Sequence, residues 1–217
     1  MKNVIKNSRA VFYFRHFSGS YSIKSCYGRL IGTDGKFMAT VSDADIVSAL
    51  KENLESGFRL LMARYREPVY WHIRRLVVSH DDAQDAAQET FIRAFRSLGR
   101  FKGECSLGAW IYRIATNEAL RAIERRRGGR VSLDDADAGA SRLAADGYVD
   151  YSDLEAVKLQ NAILSLPTKQ QLAFNLRYYD GLEYDEIAAV TGSTAASAKA
   201  NYHVAKEKII KYMNSTI

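Results

Sequence analysis

The side chains of this 217-residue chain that could do chemistry are arranged for recognition rather than for covalent catalysis. The four histidines, His16, His72, His80 and His203, are dispersed, and Cys26 and Cys105 lie far apart. No His-x-x-x-His or Cys-x-x-Cys spacing occurs, nor a glycine-rich phosphate loop or nucleophile elbow, so no catalytic residue, metal site or cofactor is expected. What the sequence concentrates instead is aromatic, amide and cationic groups. The loop Phe-Lys-Gly-Glu-Cys-Ser-Leu (101–107) precedes Trp110, Tyr112, Arg113, Asn117 and Arg121. Rings on which bases stack, beside guanidinium groups that seek phosphate, are what a single-strand binding surface needs; Trp110 reads equally as core. Arg125, Arg126 and Arg127 add phosphate charge at the end of the same segment.

Two further constellations stand out. Within residues 82–91, Asp85, Gln88 and Glu89 share one helical face with Ile92, opposite small apolar residues. Such a face suits a basic helical partner, although the residues by themselves read more readily as an ordinary solvated face. Residues 184–206 form a helix-turn-helix candidate, with Ala188 small at the crossing and Gly192 able to take positive φ in the turn. Ala195, Ala198, Tyr202, Ala205 and Ile209 would then face inward. That leaves Ala196, Lys199, Ala200, His203 and Lys206 outward, short and basic side chains of the kind a recognition helix offers to a major groove. Lys199 and Lys206 suit phosphates; His203 and Asn201 suit base edges.

Helices must position these groups, and only two prolines interrupt the chain. Ser42-Asp43-Ala44-Asp45 is a helix-start signal, and organised sequence begins there. Phe58, Leu61, Tyr65, Val69, Ile73, Leu76 and Val77 recur at three- and four-residue steps, predicting a helix that Pro68 kinks or divides. A second helix opens at Ser79 and runs through Ala83, Ala87, Phe91 (or Thr90), Ala94 and Leu98 to Gly99. A third carries Ile111, Ile114, Ala115, Ala119, Ala122 and Ile123 and closes at Gly128-Gly129. After a weakly apolar stretch come a helix ending at Leu164, a break at Leu166-Pro167, a helix ending before Gly181, and the helix-turn-helix candidate. The expected fold is all-α: an N-terminal helical bundle (38–129) and a C-terminal helix-turn-helix domain (153–217), joined by a flexible acidic linker (130–152).

Charge supports that division. The net +6 resides in residues 1–37, with seven basic and one acidic residue; the remainder holds 24 of each sign. Residues 91–130 hold ten basic and three acidic residues, residues 134–155 one and seven, and residues 199–211 four and one. Two basic segments around an acidic one suit a protein that touches polyanion at two places, or are solvated helix faces. Residues 1–37 are an unassigned extension: a basic arm, or reading frame upstream of a start at Met38. No apolar stretch approaches the roughly 18–20 residues of a membrane span, and the run at 11–14 is too short for a signal peptide, so a cytoplasmic protein without membrane insertion is expected.

Three blocks carry a resemblance: Asp-Ala-Gln-Asp-Ala-Ala-Gln-Glu-Thr-Phe (82–91), Phe-Lys-Gly-Glu-Cys-Ser-Leu-Gly-Ala-Trp-Ile-Tyr-Arg-Ile-Ala-Thr-Asn (101–117), and Leu-Pro-Thr-Lys-Gln-Gln with Tyr-Asp-Glu-Ile-Ala-Ala-Val-Thr-Gly within 166–192. In order and spacing, over about 42–213, they resemble the extracytoplasmic-function sigma factors of bacteria. The resemblance implies a promoter-recognition subunit of core RNA polymerase, not an enzyme, with promoter DNA and an anti-sigma factor as partners and no small-molecule substrate. It implies that Asp85, Gln88, Glu89 and Ile92 dock on the polymerase. It further implies that Lys102, Gly103, Ser106, Trp110, Arg113, Asn117 and Arg121 melt and read the −10 element. Thr194, Ala196, Lys199, Ala200, Asn201, His203 and Lys206 would read the −35 element. The recognition helix departs from the family in carrying Asn201 and Val204 where basic residues are common and Ala200 for a frequent serine. A stand-alone helix-turn-helix regulator is the alternative, but it would have no use for the 101–107 loop or the Asp85/Gln88/Glu89 face.

Overall fold

A computed structural model describes residues 41–127 and 154–215, which form eight α-helices; no strand occurs among the described residues. They are α1 (Asp43–Glu52), α2 (Leu54–Val77), α3 (His80–Leu98), α4 (Leu107–Arg127), α5 (Leu154–Leu164), α6 (Thr168–Tyr178), α7 (Tyr184–Thr191) and α8 (Ala195–Asn214). The expected extension at 1–37 and the acidic linker lie outside the described residues.

The starts follow from side-chain chemistry. Ser42 caps α1 in a reciprocal box with Asp45: the Asp45 N–H donates to the Ser42 hydroxyl (3.2 Å), and the Ser42 N–H donates to the Asp45 carboxylate (2.8 Å). That bond to the Ser42 backbone holds the Asp45 carboxyl below its ordinary range. Asn53 caps α2, Ser79 caps α3 and Thr194 caps α8 one-sidedly, each side-chain oxygen accepting from backbone N–H groups of the first turn. Gly192 ends α7 in the left-handed region at φ 66°, as a tight turn between helices requires. Gly57 serves a close approach instead, since a Cβ there would lie 2.7 Å from the Leu50 backbone nitrogen.

Of the kink or division expected at Pro68, the division does not occur. α2 runs unbroken through Pro68. Both Pro68 and Arg64, whose carbonyl loses its intrahelical partner, lie on the exposed side, where water can serve the carbonyl. At the break after Leu166, Pro167 stands at the N-cap of α6.

α2, α3 and α4 enclose a core built on Leu61, Val69, Ile73, Ala94, Ile111, Ala115 and Ala119, with Ile46 of α1 fully buried against it. The turn from α2 to α3 is a single corner. Val78 adopts φ 67° and ψ −39°, and the Ser79 N–H donates to the Val77 carbonyl at 2.8 Å, which closes a γ-turn. A β-branched residue with positive φ is strained, on the order of 1–3 kcal/mol. Burial of the Val78 side chain offsets part of that cost.

In the C-terminal module a core of Leu159, Ile163, Leu166, Phe174, Ala205 and Ile209 joins α5, α6 and α8. Leu172, Leu176, Leu182, Ile187, Val190 and Ala198, on the other side of this module, belong to the same buried cluster as the N-terminal bundle. The two modules therefore pack together, with α7 against α4.

Candidate polymerase and nucleic-acid surfaces

The loop before α4 is shaped by hydrogen bonds at both ends. The Phe101 N–H donates to the Leu98 carbonyl at 3.1 Å, and the Ser106 hydroxyl accepts from the Ala109 N–H at 3.1 Å, starting α4. Between them Gly103 takes φ 76°, a conformation that a side chain would oppose. Phe101 and Trp110 pack at 5.3 Å between ring centroids, both half-buried, so Trp110 supports the core on one side and remains open on the other. Burial raises the Cys105 thiol pKa, against a smaller opposing pull from Arg113.

α4 buries Ile111, Ala115, Thr116, Ala119, Ala122 and Ile123. The opposite side leaves Arg113, Asn117 and Arg121 exposed at four-residue steps, continuing from exposed Lys102, Gly103 and Ser106. Trp110 lies on the same side of α4 as Arg113, Asn117 and Arg121, by three- and four-residue spacing. Tyr112 does not: it points inward, 6% exposed, edge-on to Tyr65 and to His72, and burial pushes its phenol pKa well above the ordinary value. Residues two apart on a helix lie about 200° around its axis, so Trp110 and Tyr112 cannot share a face.

On α3, Asp85, Gln88 and Ile92 are exposed. Glu89 is half-buried and paired with Arg93 at 3.0 Å; Arg93 also reaches Glu118 of α4 at 2.9 Å, and Arg121 pairs with Glu118 as well. The docking candidates and the α4 row are thus joined by one chain of ion pairs, which periodicity alone gave no sign of. Also missed was Phe95, 43% exposed, whose ring stands edge-on to Phe58 at 4.9 Å and extends the Ile92 face by an aromatic. Its position three residues past Ile92 was the available signal.

On α8, Ala198, Ala205 and Ile209 are buried, while Ala196, Lys199, Ala200 and His203 are exposed, as the alternation predicts. Thr194 is occupied in capping, accepting from the Ser197 N–H at 3.2 Å. Asn201 is half-buried and its amide donates to the Ser197 hydroxyl at 3.3 Å; Lys206 is also half-buried. Exposed Val204 stands beside them, the apolar group on this face. Among the described residues no cluster of three or more His, Cys, Asp or Glu could hold a metal, and no helix is long and apolar enough to cross a membrane.

Sigma-70 region 2 matches residues 61–128, and Sigma-70 region 4 matches residues 156–209. The sigma-E factor of Escherichia coli K12, an ECF RNA polymerase sigma factor, is 32% identical over 179 residues, covering 78% of this chain and 93% of that one. The chain belongs to the extracytoplasmic-function (ECF) sigma factors. Another relative of this sigma factor is the RNA polymerase sigma-H factor of Pseudomonas aeruginosa, 29% identical over 180 residues, covering 78% of this chain and 92% of that one. Two solved structures share the fold. CnrH in complex with the cytosolic domain of CnrY has a TM-score of 0.59 at 20% identity, covering 79% of this chain and 97% of that one. The sigma factor RpoE of Bartonella quintana with the anti-sigma factor NepR has a TM-score of 0.56 at 21% identity, covering 80% and 99%. Sigma factors act in transcription initiation. A stand-alone helix-turn-helix regulator is not favoured, because the region 2 match covers the bundle that such a regulator would lack.

Proposed function

We propose that this sigma factor directs bacterial core RNA polymerase to promoters through three surfaces. The exposed face of α3, with Asp85, Gln88, Glu89 and Ile92, docks on the polymerase; a mixed acidic, amide and aliphatic face complements a basic helical partner. Lys102, Gly103, Ser106, Trp110, Arg113, Asn117 and Arg121 engage the −10 element, the arginines on phosphates and the open side of Trp110 on an extruded base, whose unstacking must be offset by the fit. Thr194, Ala196, Lys199, Ala200, Asn201, His203 and Lys206 meet the −35 duplex. Residues 38–129 form the region 2 unit, 130–152 the linker and 153–217 the region 4 unit. The protein works in the cytoplasm, where polymerase and DNA are, needs no cofactor, catalyses no reaction itself and is restrained by an anti-sigma factor.

The observation that carries this reading is the row Arg113, Asn117, Arg121, exposed along the side of α4 opposite its buried residues, beside a ring pair and a glycine-bearing loop. Each surface alone is weak. Held together on the polymerase, the two DNA contacts reinforce each other through effective concentration. Run-off transcription with purified core polymerase on genomic fragments tests this: discrete new start sites are expected, and a start-site pattern unchanged from core polymerase alone would overturn it.

A further inference from the structure

Successive residues of α8 turn by about 100° around its axis, which sorts its side chains into an inner side, an outer side and two flanks. Ala198, Ala205 and Ile209 are buried on the inner side. Opposite them stand Ala196, Ala200, His203, Val204 and Glu207, all exposed. Lys199 and Lys206 lie about 90° to one side of this outward line, and exposed Lys208 lies about 90° to the other. A helix seated in a major groove meets a sugar-phosphate backbone on each flank and base edges between them. The helix thus carries cations where both backbones run, and Val204 falls between them.

Val204 is 40% exposed, a branched aliphatic group turned towards solvent. One turn before it on the same side is Ala200, and one turn before that Ala196, so no long side chain on that row holds the helix away from the groove floor. A valine is short, and only such a close approach lets its methyl groups touch a base. Asn201, the polar group beside it, is engaged within the helix, its amide donating to the Ser197 hydroxyl at 3.3 Å. Glu207, nearly one turn further, is exposed and acidic; phosphate repels it, so the base-facing stretch ends at Val204. From Ala196 to Val204 the helix advances about 12 Å, roughly the length of three to four base pairs.

The chemistry of an isopropyl group at that place is restrictive. In the major groove guanine, adenine and cytosine are told apart by donors and acceptors, which valine cannot satisfy, whereas thymine also projects its C5 methyl. A valine set against a donor or acceptor would displace water from it and return no hydrogen bond. Against the methyl it removes apolar surface from water on both sides.

We propose that Val204 is a specificity-determining residue of this sigma factor, its isopropyl group selecting a thymine through the C5 methyl at one end of the −35 element while Lys199, Lys206 and Lys208 hold the two backbones. This rests on the proposed assignment of α8 to the −35 duplex.

The test uses the full chain on core polymerase. A randomised duplex library is selected for holoenzyme binding with the unaltered chain, with Val204→Ala and with Val204→Arg. The enriched −35 element should contain one thymine whose preference is lost in Val204→Ala. In Val204→Arg the same position should turn to guanine, whose O6 and N7 accept both arms of a guanidinium. The unaltered chain is then offered its selected duplex with deoxyuridine in place of that thymine, a change that removes the methyl alone. Its affinity should fall about fourfold, the worth of one buried methyl group, while Val204→Ala should bind the two duplexes equally. Equal binding of both duplexes by the unaltered chain, or a base preference that neither variant alters, would overturn the role of Val204. Holoenzyme that forms but enriches no −35 sequence would instead overturn the assignment of α8.

Discussion

Arg93 of α3 reaches Glu118 of α4 at 2.9 Å while holding Glu89 of its own helix at 3.0 Å. The Glu118 side chain is 5% exposed, so its charge is removed from water and compensated by Arg93 and Arg121. Arg93 therefore ties the face assigned to the polymerase to the row assigned to the −10 element. Replacing Arg93 by Ala leaves Glu118 with Arg121 alone and frees Glu89. A loss of about 1–3 kcal/mol is expected, seen as a lower midpoint in urea with unchanged slope. An unchanged midpoint would mean that the network contributes little.

Glu89→Lys should prevent holoenzyme formation. Glu89 and Arg93 are 40% and 45% exposed in their side chains, so losing the pair, even with Lys now beside Arg93, should cost the fold no more than about 1 kcal/mol. Co-migration with core polymerase on a native gel, alongside a thermal melt, separates the two effects. Normal co-migration would remove Glu89 from the docking face.

Asn117→Ala should slow promoter opening more than it weakens duplex binding, because the exposed amide has no structural partner to abandon among the hydrogen bonds of α4 and meets DNA only once strands part. Permanganate reactivity of −10 thymines should fall while the gel shift on closed duplex is retained. Equal loss in both would place Asn117 on duplex instead.

Lys199→Ala removes an exposed charge from α8. Promoter affinity should fall, and the dependence of log affinity on log salt should flatten by about 1, since one phosphate contact fewer releases one counterion fewer. A slope that does not change would mean that Lys199 touches no phosphate.

Gly57→Ala places a methyl 2.5 Å from the Leu50 side chain and 2.7 Å from its backbone nitrogen. Backbone cannot yield as a flexible side chain does, so α1 must shift from α2, at about 1–3 kcal/mol. Thermal denaturation should show a midpoint several degrees lower.

Much of this architecture could be read from local chemistry. Ser42, Ser79 and Thr194 cap helices because a hydroxyl at the right offset satisfies a free N–H whatever the tertiary setting, and the three-and-four alternation of α8 placed Ala198, Ala205 and Ile209 inside. What failed depended on the third dimension. Pro68 does not divide α2, because it falls on the solvent side. Tyr112 does not join Trp110, because helical geometry turns it inward. The pairing of His72 and Arg75 with Asp180, in the turn after α6, left no trace in either local pattern, since a histidine on an apolar stripe looks like core and an aspartate before a glycine looks like turn chemistry. The assigned surfaces showed residue types and exposure, yet Glu89 and Ser106 proved to be engaged elsewhere in the molecule.

The γ-turn at Val78 makes α2 and α3 two arms of a bell-crank. His72 and Arg75 sit on one arm just before the pivot, and the residues proposed to face the polymerase line the other. A two-residue corner with a buried valine leaves no slack to absorb rotation, so torque applied to α3 by a docking partner is delivered to the end of α2 that grips Asp180.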